Sequence, residues 1–239
     1  MRLIRFATAL AAAVVLCAAV ASAQDVQVTP TEYSFTMTKM ELCTSSTCAA
    51  TTVLGTKTQV FDIGSAQVSA GAQVGSYLQS IELELETTYT HVRVTLNRTF
   101  SMTGGTNAGV TSNANGGSCY TDSTASGTAG TGTAYARTTD SDASGRGSAA
   151  SSMSIMVPDV NSAGDFGDLT ATFSTAGIVI VDATTMTVTI ALTSPYTVTA
   201  RAPTFVISFD VASTLNFTGA GADTCVIWFT PPNVSITIT

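Results

Sequence analysis

The sequence predicts an all-β protein whose antiparallel sheets pack face to face as a sandwich. Three observations carry that prediction. Apolar and polar residues alternate with a period of two in segment after segment, the spacing that puts one set of side chains on each face of a strand. No stretch of twelve residues combines a 3.6-residue period with helix caps. Only 10% of the 239 residues are charged, against about 25% in an average globular chain.

The elements follow in order. Arg2 and Arg5, the apolar run Phe6 to Val20 and the small-residue site Ala21-Ser22-Ala23 read as a secretory signal peptide over residues 1–23. The apolar run is shorter than the roughly 20 residues of a membrane span. Residues 24–239 then form one domain. Tyr33, Phe35 and Met37 alternate with hydroxyl residues, and at Lys39 the phase shifts to Met40 and Leu42, which predicts a bulge or a change of face. Short strands are expected over 51–54 and 58–63, an ambiguous stretch over 64–79, a strand over 81–86 with Glu82, Glu84 and Glu86 facing outward, and another through Val92, Val94 and Leu96.

Residues 101–152 are a low-complexity Gly/Ser/Thr-rich insertion, in which Val110, Tyr120 and Tyr135 are the few large side chains. Such a stretch buries little apolar surface against its ordering entropy and is expected to be a solvated loop. Strands resume over 169–174, 178–181, 186–192, 196–198, 205–211, 215–217, 226–229 and 234–239, punctuated by Gly177, Pro195, Pro203 and Gly219-Ala-Gly. Ten to twelve short strands at this spacing predict an immunoglobulin-like or jelly-roll-like sandwich interrupted by one long insertion.

Composition narrows the function classes. Losing the signal peptide leaves seven basic and sixteen acidic side chains, a net charge of about −9 from the −7 of the full chain. An acidic chain with two lysines lacks the cationic patches that nucleic acid or anionic lipid requires. Cys17 leaves with the signal, so Cys43, Cys48, Cys119 and Cys225 remain, an even count that predicts two disulfides in an exported protein. Four cysteines allow three pairings. The preferred one joins Cys43 to Cys48 across a tight loop and Cys119 to Cys225.

Catalysis has little to draw on, and no enzymatic activity is expected. His91, the single histidine, sits on a strand, and there is no Gly-x-Ser-x-Gly elbow and no His-Glu-x-x-His helix. No cofactor is expected. The one metal candidate is calcium: Asp140, Asp142 and Ser144 open a D-x-D-x-S-G loop, and Asp159, Asn161 and Asp165 with Asp168 nearby form a second partial match. Both lack the bidentate Glu at the twelfth position. N-x-S/T sequons at Asn97, Asn216 and Asn233 are candidate sites of glycan decoration. Trp228, beside Cys225, reads as a core indole.

The best functional clue lies near the N-terminus of the mature chain. Val26 and Val28 alternate ahead of the first long strand, in a segment able to extend into a neighbour's open sheet edge. That is β-strand addition, in which main-chain hydrogen bonds supply affinity and alternate side chains fill pockets. With its signal peptide, size, strand grammar and a strand near each end, the chain resembles in layout the secreted fibre or pilus subunits of bacteria built on β-sandwiches. The resemblance implies a structural subunit of an extracellular filament or surface matrix, polymerising through Val26, Val28, Tyr33, Phe35 and Met37. The alternative is a monomeric exported adhesin or carbohydrate-binding module, calcium-dependent through the first loop.

Overall fold

The computed structural model describes residues 26–64, 83–106, 119–121, 126–127, 136–139, 150–159, 170–201, 203–219 and 224–238. The first half holds β1 (Val26–Val28), β2 (Glu32–Cys43), β3 (Thr51–Gly55), β4 (Gln59–Gly64), β5 (Thr88–Asn97) and β6 (Thr99–Thr103), then β7 (Ser126–Gly127) and β8 (Ala136–Thr139). The second holds β9 (Met153–Met156), α1 (Thr170–Thr175), β10 (Ile178–Ile180), β11 (Thr185–Thr197), β12 (Phe205–Asp210), β13 (Leu215–Gly219), β14 (Thr224–Phe229) and β15 (Asn233–Ile238). Strands dominate. Among the described residues no helix is long and apolar enough to cross a membrane.

The strands form two open sheets. The smaller runs β1-β13-β14-β8. The larger runs β12-β15-β11-β5-β2-β6-β9-β7, with β10 attached to β11 and with β3 and β4 attached to β2. Pairing is antiparallel except at β11–β15 and β7–β9, which are parallel. The all-antiparallel expectation is corrected there. Strand direction depends on long-range connections, which a local alternation pattern does not record.

β2 shows how sequence becomes core. Tyr33, Phe35 and Met37 are buried between half-buried hydroxyl residues, then Met40 and Leu42 are buried in turn. The β2–β5 register shifts between Met37 and Lys39, and both sets belong to one core cluster. The phase change is therefore a bulge that returns the later residues to the same face. Phe35 meets Phe209 of β12 at 5.1 Å, and Phe100 of β6 meets Phe229 of β14 at 5.2 Å. Leu215, Phe217 and Ile227 of the smaller sheet join the same cluster.

Four further expectations are revised. The described end of the 81–86 segment is a turn: Thr87 N donates to Glu84 O, and Glu86 has φ of 66°. Left-handed backbone ends a strand, so Glu84 and Glu86 do not form one strand face; Glu82 lies outside the described residues, as does 65–79. The strand expected over 169–174 is instead helical, its described residues lying in α1 (Thr170–Thr175). Gly177 follows it with φ of 67°, and a Cβ there would collide with the Thr189 carbonyl, so glycine both ends the helix and admits β11. Pro195 lies inside β11, which bulges between Ala191 and Tyr196 and resumes pairing with β5. Finally, described parts of 101–152 are not loop: β6 reaches Thr103, β7 pairs with β9 and β8 with β14. Thr106, Cys119 and Thr121 are wholly buried there.

Candidate functional site

The predicted site residues fall in three places. Cys43 and Cys48 form a disulfide with Cα atoms 4.8 Å apart; the loop between them turns through Cys48, at φ of 49°, with Cys48 N donating to Ser45 O. Cys119 is also disulfide-bonded, and the side chain of Cys225 lies outside the described residues. Residues 1–23, the calcium candidates Asp140, Asp142 and Ser144, and Asn161, Asp165 and Asp168 lie outside them too, as does the Trp228 side chain. Asp159, which opens the second acidic loop, instead pairs with Arg98 at 2.9 Å. Among the described residues no three His, Cys, Asp or Glu gather as a metal would need.

Val26 and Val28 pair with Phe217 and Leu215 of the chain's own β13. Both are half-buried, whereas Tyr33, Phe35 and Met37 are 1%, 5% and 4% exposed. The five residues assigned to subunit contact thus separate into a shallow edge strand and a set that the chain's own core already occupies. Of the sequons, Asn216 is buried and donates to Thr214 O, while Asn233 is exposed at the start of β15. His91 meets Thr90 Oγ1 through Nδ1 at 2.8 Å.

Two charged centres escaped the sequence reading. Arg98, only 2% exposed, donates from Nε and Nη2 to Val157 O and from Nη1 to Asp182 O, and Nη2 also reaches Asp159. One guanidinium so ties the β5–β6 corner to the ends of β9 and β10. Glu41, 3% exposed, receives Lys39 at 2.8 Å, Arg93 at 2.9 Å and Thr51 at 3.3 Å. Burial pushes its carboxyl up, but the hydrogen bonds and charges of Arg93 and Lys39 outweigh burial and hold it below the ordinary value. The lone carboxylate in the run Lys39-Met-Glu-Leu-Cys was the available signal.

One concavity is a mainly apolar groove of about 1700 Å³. Residues of β2, β5, β11, β12 and β15 line it, with the end of β14 and α1. Val188, Ile190, Phe205, Ile207, Phe209 and Val234 line it and are only half-buried, although all pack against the core. None of the described lining residues is Lys, Arg, Asp or Glu. Among the described residues β12 ends the larger sheet and β10 has a neighbour on one side only, so each leaves one strand edge without a described partner. No family model, curated protein or solved structure matches this chain.

Proposed function

We propose that the protein is a secreted structural subunit, a β-sandwich that polymerises into an extracellular filament or surface matrix of a bacterium by β-strand addition. The observation that carries this reading is the under-filled core: a groove with no Lys, Arg, Asp or Glu among its described lining residues, whose apolar side chains stay half exposed beside strand edges that have no described partner. An extended segment lying there would continue a sheet and bury those walls in one act.

The donor is residues 25–32. Val26 to Thr31 is an uncharged run, matching a groove without charged lining residues. β1 is three residues long and pairs with β13 alone, and releasing the segment also breaks the bonds of Thr31 to Thr103 O and of Ser213 N to Thr29 Oγ1. Tyr33 onward is excluded as donor because it is already core. Taking two valines from half to full burial supplies about 1.5–3 kcal/mol, less than the roughly 4–15 kcal/mol that association costs. The remainder must come from the half-exposed walls and from new ladder bonds at about 0.5–1.5 kcal/mol each.

Negative-stain microscopy of the mature chain with and without residues 25–32 tests the reading. Filaments from the full chain and folded monomers from the deletion are expected. A synthetic peptide of residues 25–32 should then bind the deletion form. Filaments that persist without the segment, or a full chain that stays monomeric at high concentration, would refute it.

A further inference from the structure

Three strands that border the groove have a described neighbour on one side only: β4, β10 and β12. They differ in what is left to bury. The core-facing side chains of β4, Phe61 and Ile63, are already 5% and 2% exposed, and the strand carries Asp62. β10 is three residues long, and its Ile178 is 7% exposed. β12 has six residues, none of them buried. Phe205, Ile207 and Phe209 line the groove, whereas Val206, Ser208 and Asp210 do not. One face of β12 is therefore apolar and half exposed along its whole length. A strand inside a sheet has its side chains covered from two neighbours; β12 has β15 alone among the described strands.

Resting on the strand-addition reading, we propose that the acceptor is the free edge of β12, and that residues 26–30 of a second copy pair along it with Val28 opposite Ile207. The two segments match in phase. Val26, Val28 and Pro30 alternate with Gln27 and Thr29, as Phe205, Ile207 and Phe209 alternate with Val206 and Ser208. Aligned five on five, the donor puts its apolar set on the groove face and its polar pair on the other. A slip of one residue would turn the valines away from the groove. Val28 and Ile207 are the middle of each set, so they oppose one another whether the donor runs parallel or antiparallel to β12. Neither five-residue run holds a charge that pairing would have to bury. Pro30, which lacks an N–H, is tolerated because an added strand is itself an edge.

Hydrogen exchange of the unaltered mature chain tests the edge. On assembly, alternate amides of Phe205–Asp210 should slow by about tenfold or more, while those of Gln59–Gly64 keep the rates of the monomer. A mixture of Val28→Cys and Ile207→Cys chains, assembled and then mildly oxidised, tests the register. Opposed cross-strand residues come within reach of a disulfide, so a covalent dimer should form that neither variant gives alone. Val28→Cys mixed with Ser208→Cys, on the other face, should give none. Filaments whose β12 amides exchange as fast as in the monomer, or that crosslink through Ser208→Cys as readily as through Ile207→Cys, overturn the assignment. If deletion of 25–32 still abolishes filaments in that case, strand addition stands with a different acceptor. A wild-type chain that forms no filaments, or filaments that persist without residues 25–32, overturn strand addition itself and this acceptor with it.

Discussion

One end of the core is closed and the other is open, although both are built from the same aliphatic and aromatic residues. At the closed end Met102, Met153, Leu215, Phe217 and Ile227 are wholly buried in one cluster drawn from both sheets, with Phe100 of β6 against Phe229 of β14. At the open end Val188, Ile190, Phe205 and Ile207 line the groove and stay half exposed. Residue type does not separate the two ends; the presence of a covering strand does. The closed end holds fully buried core, and the open end keeps apolar surface left to bury.

The sharpest way to break that contrast is truncation on either side of it. Leu215→Ala removes packing where no relaxation is available and should cost about 3–4 kcal/mol in urea unfolding of the monomer. Ile207→Ala removes carbon already partly wet and should cost about 1 kcal/mol or less. The order reverses for assembly: Ile207→Ala should raise the filament threshold while the Leu215→Ala subunits that remain folded assemble normally. Equal monomer costs would mean that the groove is closed in solution, and the contrast would disappear.

Arg98 lies between the two ends and tests whether the corner they share is rigid. Arg98→Met keeps the length of the side chain but leaves Val157 O and Asp182 O without their donor. A loss of about 2–3 kcal/mol is expected, with faster hydrogen exchange at the Val157 amide, which donates to Arg98 O. A change below about 0.5 kcal/mol would show that water replaces the guanidinium and that the corner is looser than its bonds indicate.

How far the sequence could foresee this contrast depends on range. Strands such as β12 and β15 were legible because alternation is a local consequence of half burial. The turn at Leu83 to Glu86 was not: Leu-Glu-Leu-Glu alternates as well as any strand, and only the Glu84–Thr87 turn and the left-handed Glu86 reveal the reversal. Six residues of α1, mostly Thr and Ala, are too few to display a helical period. Pro195 read as a stop because a bulge that tolerates it depends on the partner β5. The Cys43–Cys48 loop could be read from spacing alone. The groove could not, since it follows from which strand lies beside which, and β11 meets β15 in parallel at Leu192 and Ile236, 44 residues apart in the chain.

The smallest effect concerns Glu41, on the face of β2 away from the groove. Its carboxyl lies below the ordinary value of 4.5 in the fold. A group depressed on folding contributes stability above its unfolded pKa and loses it as pH falls through the folded value. Lys39 and Arg93 are 37% and 28% exposed, so solvent screens part of the attraction. Glu41→Gln should therefore cost about 1 kcal/mol at pH 7, and the gap from wild type should close as the pH drops below about 4.5. Urea midpoints at both ends of that range measure it. A gap that stays constant with pH would assign the cost to packing around residue 41 rather than to its charge. Because Glu41 is remote from the half-exposed walls, the filament threshold at pH 7 should not move, and a shift there would tie the charged face of β2 to assembly as well.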